Sequence, residues 1–297
     1  MFSLTCGTII DLGIARYAGK GQGEVTLLRK LASVFSAGDV LLGDCLVGNW
    51  RCLYEFQQRG VGVVTRLNRS RRAADFRKGE RLGKEDHLIE WPKPWIKSVD
   101  REVRKSMPEF ITVREARVHI NQPGFRTKVM VVVTTLLDHK QYSKDDLAEL
   151  YRQRWNAELD LRTLKQTLQM DVLRCKTPSL VRKEIWTHIL AYNLIRTIMA
   201  QVAVEYDRQP RSVSFTATLQ TLKAFQPLIA GLQRCDQLTR QAVYAQLLEA
   251  IATHKVANRP GRFEPRAKKT PHSRHSYLQM PRHEAKRRMA KGLGLTT

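Results

Sequence analysis

The first 67 residues alternate between short apolar runs and stretches with helical spacing. Residues 8–17 (TIIDLGIARY) contain a β-branched run that predicts a strand, and residues 24–36 carry apolar positions at helical intervals. Residues 40–42 then predict a short buried strand, followed by a helix over roughly residues 47–59 and a strand at 61–67 (VGVVTRL). This alternation of strand and helix predicts an α/β layer with a mainly parallel sheet.

The pattern of polar and apolar residues changes between residues 68 and 137. A polar, basic stretch comes first, and three strand-like segments follow: HLIEWPKPW, ITVREARVHI and TKVMVVVTTLL. Pro, Gly and Asn residues separate them, as turn signals do between strands. We therefore predict a β-rich insertion in the α/β layer.

The chain becomes helical from residue 143 onward. Ser143 precedes Asp145 and Asp146, which is a typical start for a helix. Further helices are predicted over residues 181–205 and roughly 235–253. The last 40 residues are basic and interrupted by prolines, so we predict a tail that is disordered or draped on DNA. The predicted units are 1–67 (α/β layer), 68–137 (β-rich insertion), 138–205 (remainder of the α/β layer), 206–256 (helical region) and 257–297 (basic tail).

The predicted helix at residues 151–165 (YRQRWNAELDLRTLK) has an unusual distribution of side chains. At about 100° per residue, Tyr151, Arg154, Glu158 and Lys165 fall within an arc of about 60°. The apolar residues lie next to this arc: Leu150, Ala157, Leu161, Leu164 and Leu168. One face therefore combines an acid, two bases and a phenol beside an apolar stripe. A selective functional face and a chance arrangement both fit this pattern.

The charge balance points to a polyanionic partner. Lysine and arginine total 51 against 28 aspartate and glutamate, which gives a formal net charge of +23 and a pI near 10.2. An excess of this size favours nucleic acid, with a solubility surplus or ribosome association as the alternatives.

The cysteines and the apolar segments bear on the compartment. Five cysteines lie at scattered positions without a C-x-x-C pair or zinc-type spacing, which predicts reduced thiols and a cytoplasmic location. The most apolar long segment (EIWTHILAYNLIRTIMAQVAV) contains His188, Asn193 and Arg196, and therefore predicts a core helix rather than a membrane span. We expect no membrane partner.

Two acids are candidate metal ligands. Asp44 follows the predicted strand at residues 40–42, where ligands gather at the carboxyl ends of strands, although a turn residue or a helix cap would give the same pattern. Glu158 is a ligand, a solvated helix residue or one half of an ion pair with Arg154 or Arg162. Together the two carboxylates would suit Mg²⁺ or Mn²⁺, and a pair of such metals promotes in-line displacement at phosphorus.

Basic and phenolic side chains on the same helix face would complement this chemistry. Arg154 and Lys165 would neutralise phosphates beside the metal centre, and Tyr151 would donate a hydrogen bond to one.

The spacing of these residues matches a known signature. Tyr151, Arg154, Glu158 and Lys165 spell Y-(2)-R-(3)-E-(6)-K, which resembles the signature of the DDE transposases of bacterial insertion sequences, the IS-four branch. GDVLLGD, ending at Asp44, resembles the strand that ends on the second catalytic Asp of that family. VVTTLLD, ending at Asp138, resembles the strand before the signature helix. The resemblance extends from about residue 7 to about residue 270.

The resemblance implies a specific fold and activity. It implies an α/β protein with a ribonuclease-H-like core, a β-rich insertion and a helical C-terminal part. Asp44 and Glu158 would be two of three metal ligands, and Tyr151, Arg154 and Lys165 would contact DNA. The implied activity is Mg²⁺-dependent cleavage at transposon ends, followed by strand transfer to target DNA. A homodimer bound to double-stranded DNA at the bacterial nucleoid would carry it out.

One element of the family pattern is missing from the sequence. The first catalytic Asp of the family lies on a strand well upstream of the second, and only 43 residues precede Asp44. Asp11 is the available substitute, but its segment resembles a later strand of the core on which no ligand is expected. We therefore expect a core that is incomplete at its N-terminus and has weak or no catalysis alone. A non-catalytic DNA-binding remnant and a metal nuclease without strand transfer remain the alternatives.

Overall fold

A six-stranded mixed sheet underlies the fold of the chain. The computed structural model describes residues 1–16, 19, 21–68, 73–96, 99–119, 129–256 and 280–292. The strands are β1 (Val40–Leu42), β2 (Gly62–Arg66), β3 (Glu80–Gly83), β4 (Asp86–Pro92), β5 (Phe110–His119) and β6 (Val129–Thr134). Their order in the sheet is β1-β2-β6-β5-β4-β3. The combination of this sheet with helices confirms the predicted α/β class.

The directions of the strands correct one prediction. Only β1 and β2 are parallel, and every other neighbouring pair is antiparallel, so the expectation of a mainly parallel sheet is wrong. The reason lies in residues 68–137, whose strands β3 to β6 join the same sheet as β1 and β2 through antiparallel pairing. The two-residue connection between β3 and β4 requires antiparallel neighbours, because a parallel pair needs a long crossover.

The predicted strand at residues 8–17 is also wrong over its described part. Ile9 forms only an isolated antiparallel bridge with Phe2. Its backbone N–H donates to the Asn193 side-chain oxygen at 2.8 Å, and its carbonyl accepts from the same amide at 2.9 Å. A side-chain amide, distant in sequence, thus takes the place that a neighbouring strand would fill. Tyr17 lies outside the described residues.

Helices account for most of the remaining described structure. They are α1 (Glu24–Lys30), α2 (Trp50–Gln57), α3 (Arg101–Ser106), α4 (Lys144–Gln153), α5 (Trp155–Arg162), α6 (Pro178–Glu205), α7 (Phe215–Gly231), α8 (Gln237–Ala252) and α9 (Arg282–Ala290). The helices predicted at 47–59, 181–205 and 235–253 correspond to α2, α6 and α8. Within the described residues, none of the helices is both long and apolar enough to cross a lipid bilayer.

Hydrophobic side chains form three buried clusters, two of which lie on opposite faces of the sheet. Val63 and Val133 belong to the cluster that contains α2, whereas Val64 and Val132 belong to the cluster that contains α4. Successive residues of a strand point to opposite faces, so these assignments place α2 and α4 on opposite sides of the sheet. The third cluster joins α6, α7 and α8 and includes Ile9 from the N-terminal segment.

The chain divides into two compact units, Met1–Arg259 and Pro260–Thr297. The sheet, helices α1 to α8 and all three clusters belong to the first unit. The described part of the second unit contains α9, which carries four lysine and arginine residues in nine positions. Most of the predicted basic tail, residues 257–279 and 293–297, lies outside the described residues.

Candidate active site

Asp44 lies two residues beyond the end of β1 and is exposed. Its Oδ1 accepts a hydrogen bond from the Leu46 backbone N–H at 2.8 Å, and its carbonyl accepts one from the Thr65 hydroxyl. Asp44 is therefore a turn residue whose main chain is fixed to β2. The helix-cap alternative is wrong, because Asn49 caps α2 by accepting from the Cys52 N–H.

The signature helix begins with a capping box on the sheet. Ser143 accepts from the Asp146 N–H, and the Asp146 carboxylate accepts from the Ser143 N–H. Arg114, which is 1% exposed, donates from Nη1 to the Tyr142 carbonyl at 2.5 Å and forms an ion pair with Asp86. These contacts fix the start of α4 over strands β4 and β5.

The signature region is not one regular helix. At Arg154 the chain forms a tight turn, since its N–H donates to the Tyr151 carbonyl three residues earlier. Residues Thr163–Thr167 form a π-helical turn, in which the Leu168 N–H donates to the Thr163 carbonyl five residues earlier. Both departures from 3.6 residues per turn rotate later side chains away from the positions expected for an ideal helix.

This irregularity changes the predicted apolar stripe. Leu164 is buried at 2% exposure, whereas Leu161 is 43% exposed, so the residues of the apolar stripe do not share one environment. Leu150, Ala157 and Leu168 are half-buried.

Arg154 and Glu158 form the charged centre of the site. Arg154 Nη2 lies 2.5 Å from Glu158 Oε1, and both side chains are partly exposed. Partial burial alone would lower the pKa of Arg154, but the hydrogen bond to Glu158 and the charges of Glu158 and Asp44 raise it above its ordinary value, as does the Tyr151 phenolate at the high pH where an arginine titrates. Of the two pairs considered from the sequence, the one with Arg154 forms, and Arg162 instead donates to Gln166.

Tyr151 lies between the sheet and this charged pair. Its ring is 7% exposed and packs with Val64, Val118 and Leu147. Burial raises the pKa of Tyr151; the charges of Arg154 and Arg66 oppose the rise, and that of Asp44 adds to it. The phenol therefore stays protonated at neutral pH and can donate a hydrogen bond.

The structure brings four of the five predicted residues together. The charge of Asp44 acts on both Tyr151 and Arg154, and Arg154 contacts Glu158. Lys165 stands apart: it is exposed on the π-helical turn, and we observe no hydrogen bond or ion pair between it and the other four.

Carboxylates of this kind suit a hard divalent cation, but their number is small. Asp44 and Glu158 provide the oxygen ligands that Mg²⁺ or Mn²⁺ prefers. Among the described residues, no group of three or more His, Cys, Asp or Glu side chains is placed to hold a metal ion. Asp11 makes local contacts instead, since its Oδ1 accepts from the Leu12 N–H at 2.7 Å and its carbonyl accepts from the Met1 amino group.

Two residues of the site were not predicted from the sequence. Arg66 ends β2, and its charge acts on Tyr151. Since β2 runs parallel to β1, the strand-end argument that identified Asp44 would also have identified Arg66. Asp160 is 1% exposed and binds two arginines, Arg196 and Arg211. No local spacing indicates this, because both partners lie far away in sequence.

Comparison with known proteins identifies the family. The family model for the transposase DDE domain matches residues 1–194. The chain belongs to the DDE transposase family. The region matched by the DDE transposase model contains all five predicted site residues and ends within α6.

Relatives from Escherichia coli agree with the family assignment. The chain is 28% identical over 213 residues to the transposase InsG of insertion sequence element IS4 from strain K12, an alignment covering 67% of this chain and 46% of InsG. It is 38% identical over 82 residues to the putative transposase InsL of IS186A and to the transposase of IS421, covering 28% of this chain and 21% of each relative. The chain thus spans less than half the length of these relatives.

Proposed function

We propose that this chain forms part of an insertion-sequence transposase that cleaves DNA at transposon ends and transfers the strand to target DNA, using Mg²⁺ or Mn²⁺. Asp44 and Glu158 act as two of its metal ligands. The observation that carries the proposal is the position of Arg154 relative to the two acids. Arg154 hydrogen-bonds Glu158, and the charge of Asp44 helps to raise the pKa of Arg154. A strand-end acid and a helix glutamate, 114 positions apart in the sequence, thus share one charged neighbourhood.

The protein residues have separable roles in this chemistry. A bound divalent metal would stabilise the charge that develops during in-line displacement at phosphorus. Asp44 would hold its position because the Thr65 hydroxyl binds its carbonyl. Arg154 would bind a DNA phosphate, and the protonated Tyr151 phenol would donate a hydrogen bond beside it. Lys165 would contact a phosphate farther along the DNA.

The shortage of acids favours a second candidate function for the chain alone. The described residues provide no three-acid group. Among the strands that the structure describes, β1 lies at the edge of the sheet, and its residues line a cavity of about 490 Å³ together with Arg154. An additional strand paired with β1 would be able to supply a third acid near Asp44. Without such a strand, the chain would occupy transposon ends as a non-catalytic DNA-binding protein.

The partners follow from charge and family. The net charge of +23 supports binding to double-stranded DNA, including transposon ends and target, at the nucleoid. A homodimer in the DNA complex fits an activity that acts on two ends of one element.

A cleavage and strand-transfer assay tests the proposal. Duplexes from the DNA that flanks the gene are incubated with the chain, and in parallel with a version extended upstream, in Mg²⁺, Mn²⁺ or EDTA. We expect Asp44→Asn and Glu158→Gln to reduce metal-dependent cleavage by the active version at least about a hundredfold. Glu149→Gln is the matched control, because Glu149 is an exposed acid of α4 that pairs with Arg152.

Each outcome of this assay discriminates between the functions. Full activity in Glu158→Gln would refute the metal assignment. Cleavage without strand transfer by the extended version would indicate a nuclease. Binding to end duplexes in EDTA, with no cleavage by either version, would support the non-catalytic function.

A further inference from the structure

Helix α5 carries Glu158 but has little apolar attachment to the protein. Asp160 is the only buried residue among its eight, all of which the structure describes. Leu159 and Leu161 are each 43% exposed. A tight turn at Arg154 precedes the helix and a π-helical turn follows it, so neither neighbour extends it as a regular α-helix.

The buried contacts of Asp160 are strong and come from both of its oxygens. Arg196 Nη2 donates to Oδ1 at 2.5 Å, and Arg211 Nη2 donates to Oδ2 at 3.0 Å. Arg196 belongs to α6, and Arg211 lies in the 3₁₀ turn that follows it. Charge-assisted bonds of this kind are shorter and stronger than neutral ones.

The N-terminal segment completes the network around these arginines. Arg211 donates to the carbonyls of Leu4 and Ser3 at 2.5 and 3.1 Å. Arg196 Nε donates to the Tyr192 hydroxyl at 3.0 Å, and this hydroxyl donates to the Gly7 carbonyl at 2.7 Å. Helix α5, helix α6, the 3₁₀ turn and the N-terminal segment are therefore joined by one hydrogen-bond network around Asp160.

The geometry of a helix connects this network to the candidate site. Asp160 and Glu158 are two residues apart, which rotates their side chains by about 200° around the helix axis. With Asp160 directed into the buried network, Glu158 faces the opposite side of the helix, where it pairs with Arg154. The charge of Asp44 acts on the same arginine.

We infer that Asp160 is the positioning residue for Glu158, because its buried ion pairs with Arg196 and Arg211 fix the rotation of α5. This inference rests on the proposed function for the role of Glu158. Asp160 itself touches no reacting group. If the ion pairs of Asp160 are lost, no buried contact among the eight described residues of α5 fixes the rotation of this helix about its own axis.

Hydrogen–deuterium exchange of the full chain in metal-free buffer tests the attachment of α5. We expect Asp160→Asn to accelerate exchange in residues 155–162 about tenfold relative to α8. Arg211→Gln should produce a smaller acceleration in the same residues, and it provides the test if circular dichroism shows that Asp160→Asn does not fold. Asp160→Glu, which keeps the charge, should restore part of the protection.

Leu248→Ala is the matched control for loss of stability. Leu248 is buried in the α8 part of the helical cluster, so its truncation should accelerate exchange in α8 and leave α5 protected. Exchange in Asp160→Asn and Arg211→Gln that is unchanged in α5, or that rises equally in all helices, would overturn the inference.

Binding of Mn²⁺, followed by the electron paramagnetic resonance signal of the free ion, tests the consequence for the site. We expect Asp160→Asn to weaken Mn²⁺ binding several-fold, in the same direction as Glu158→Gln, and Leu248→Ala to leave it unchanged. Mn²⁺ binding in Asp160→Asn as tight as in the parent would refute the positioning role. If Asp44→Asn and Glu158→Gln also bind Mn²⁺ as tightly as the parent, the proposed metal site is wrong. In that case the hydrogen–deuterium exchange of α5 still tests whether Asp160 attaches this helix.

Discussion

At the residue scale, Gly7 shows how closely the protein packs around the network of Asp160. Gly7 has a φ of +77°, a conformation that side chains rarely adopt. A Cβ at this position would lie 3.0 Å from Arg196 Cζ and 3.2 Å from Asp160 Oδ1. Only a residue without a side chain fits both the backbone conformation and the adjacent guanidinium.

Gly7→Ala should therefore destabilise the protein more than a glycine substitution with backbone strain alone. Gly21 provides the comparison, because its φ is +75° and a Cβ there would meet no described atom within 4 Å. We expect Gly21→Ala to lower the free energy of unfolding by about 1 kcal/mol. Gly7→Ala should lower it by at least about 2 kcal/mol, since Arg196 must also move. Urea denaturation measures both, and equal losses would show that the close contact with Arg196 costs nothing.

The sequence allowed some of these residues to be predicted but not others. Tyr151, Arg154, Glu158 and Lys165 could be proposed as site residues because they stand at fixed intervals in the sequence, and three successive intervals carry much information. Asp160 could not be identified in this way, since its partners lie 36 and 51 residues away. A mid-helix aspartate is ordinarily exposed, so nothing local distinguishes a buried one.

At the element scale, the capping box of α4 determines where the signature helix starts. Ser143 and Asp146 satisfy each other's backbone N–H groups. The Ser143 hydroxyl and N–H hold the pKa of Asp146 below its ordinary value of 3.8. A carboxyl with a lowered pKa in the folded state stabilises that state above its unfolded pKa, and the contribution is lost as pH falls through the lower, folded value.

Ser143→Ala should reduce stability in a pH-dependent way. At pH 7 we expect the variant to lose about 1 kcal/mol in the free energy of unfolding. The difference from the parent should shrink as the pH falls below the ordinary carboxyl pKa of 3.8 and through the lower, folded pKa of Asp146, because protonated Asp146 no longer accepts the bonds that Ser143 supplies. Urea titrations at several pH values measure this. Ser143→Asn keeps a capping oxygen and should remain near the parent, and a difference independent of pH would contradict the role of Asp146.

Elements with strong local patterns were predicted well, and those defined by distant contacts were not. The segments at 40–42 and 61–67 become strands, and those at 181–205 and 235–253 become helices, because their apolar spacing suffices. The segment at 8–17 has the same β-branched composition, but Asn193 binds Ile9 from 184 residues away. Strand direction likewise depends on which neighbours pair, and local periodicity does not encode this choice.

At the scale of the whole molecule, the excess of positive charge should dominate DNA affinity. Binding that releases counterions from 6–10 phosphates weakens by about 10³ to 10⁵ between 50 and 200 mM salt. We expect the full chain to show such a decrease on a 30-base-pair duplex, measured by fluorescence anisotropy.

Single substitutions resolve which cations contribute. Lys165→Gln should reduce the slope of log affinity against log salt by about 1 if Lys165 contacts a phosphate. Lys105→Gln is the control, because Lys105 is an exposed cation of α3 that pairs with Glu102. If both substitutions reduce the slope equally, DNA affinity depends on the total charge of the protein and not on a specific contact of Lys165.

The two candidate ligands are held by different parts of the fold. The turn that carries Asp44 is bonded to β2 in the sheet, whereas the helix that carries Glu158 is tied through Asp160 to α6 and its cluster. Asp44 and Glu158 are therefore held by two separate sets of contacts. A small displacement between these two parts would alter the spacing of the two acids while leaving the hydrogen bonds within each part intact, and we expect a DNA duplex that contacts both parts to fix that spacing.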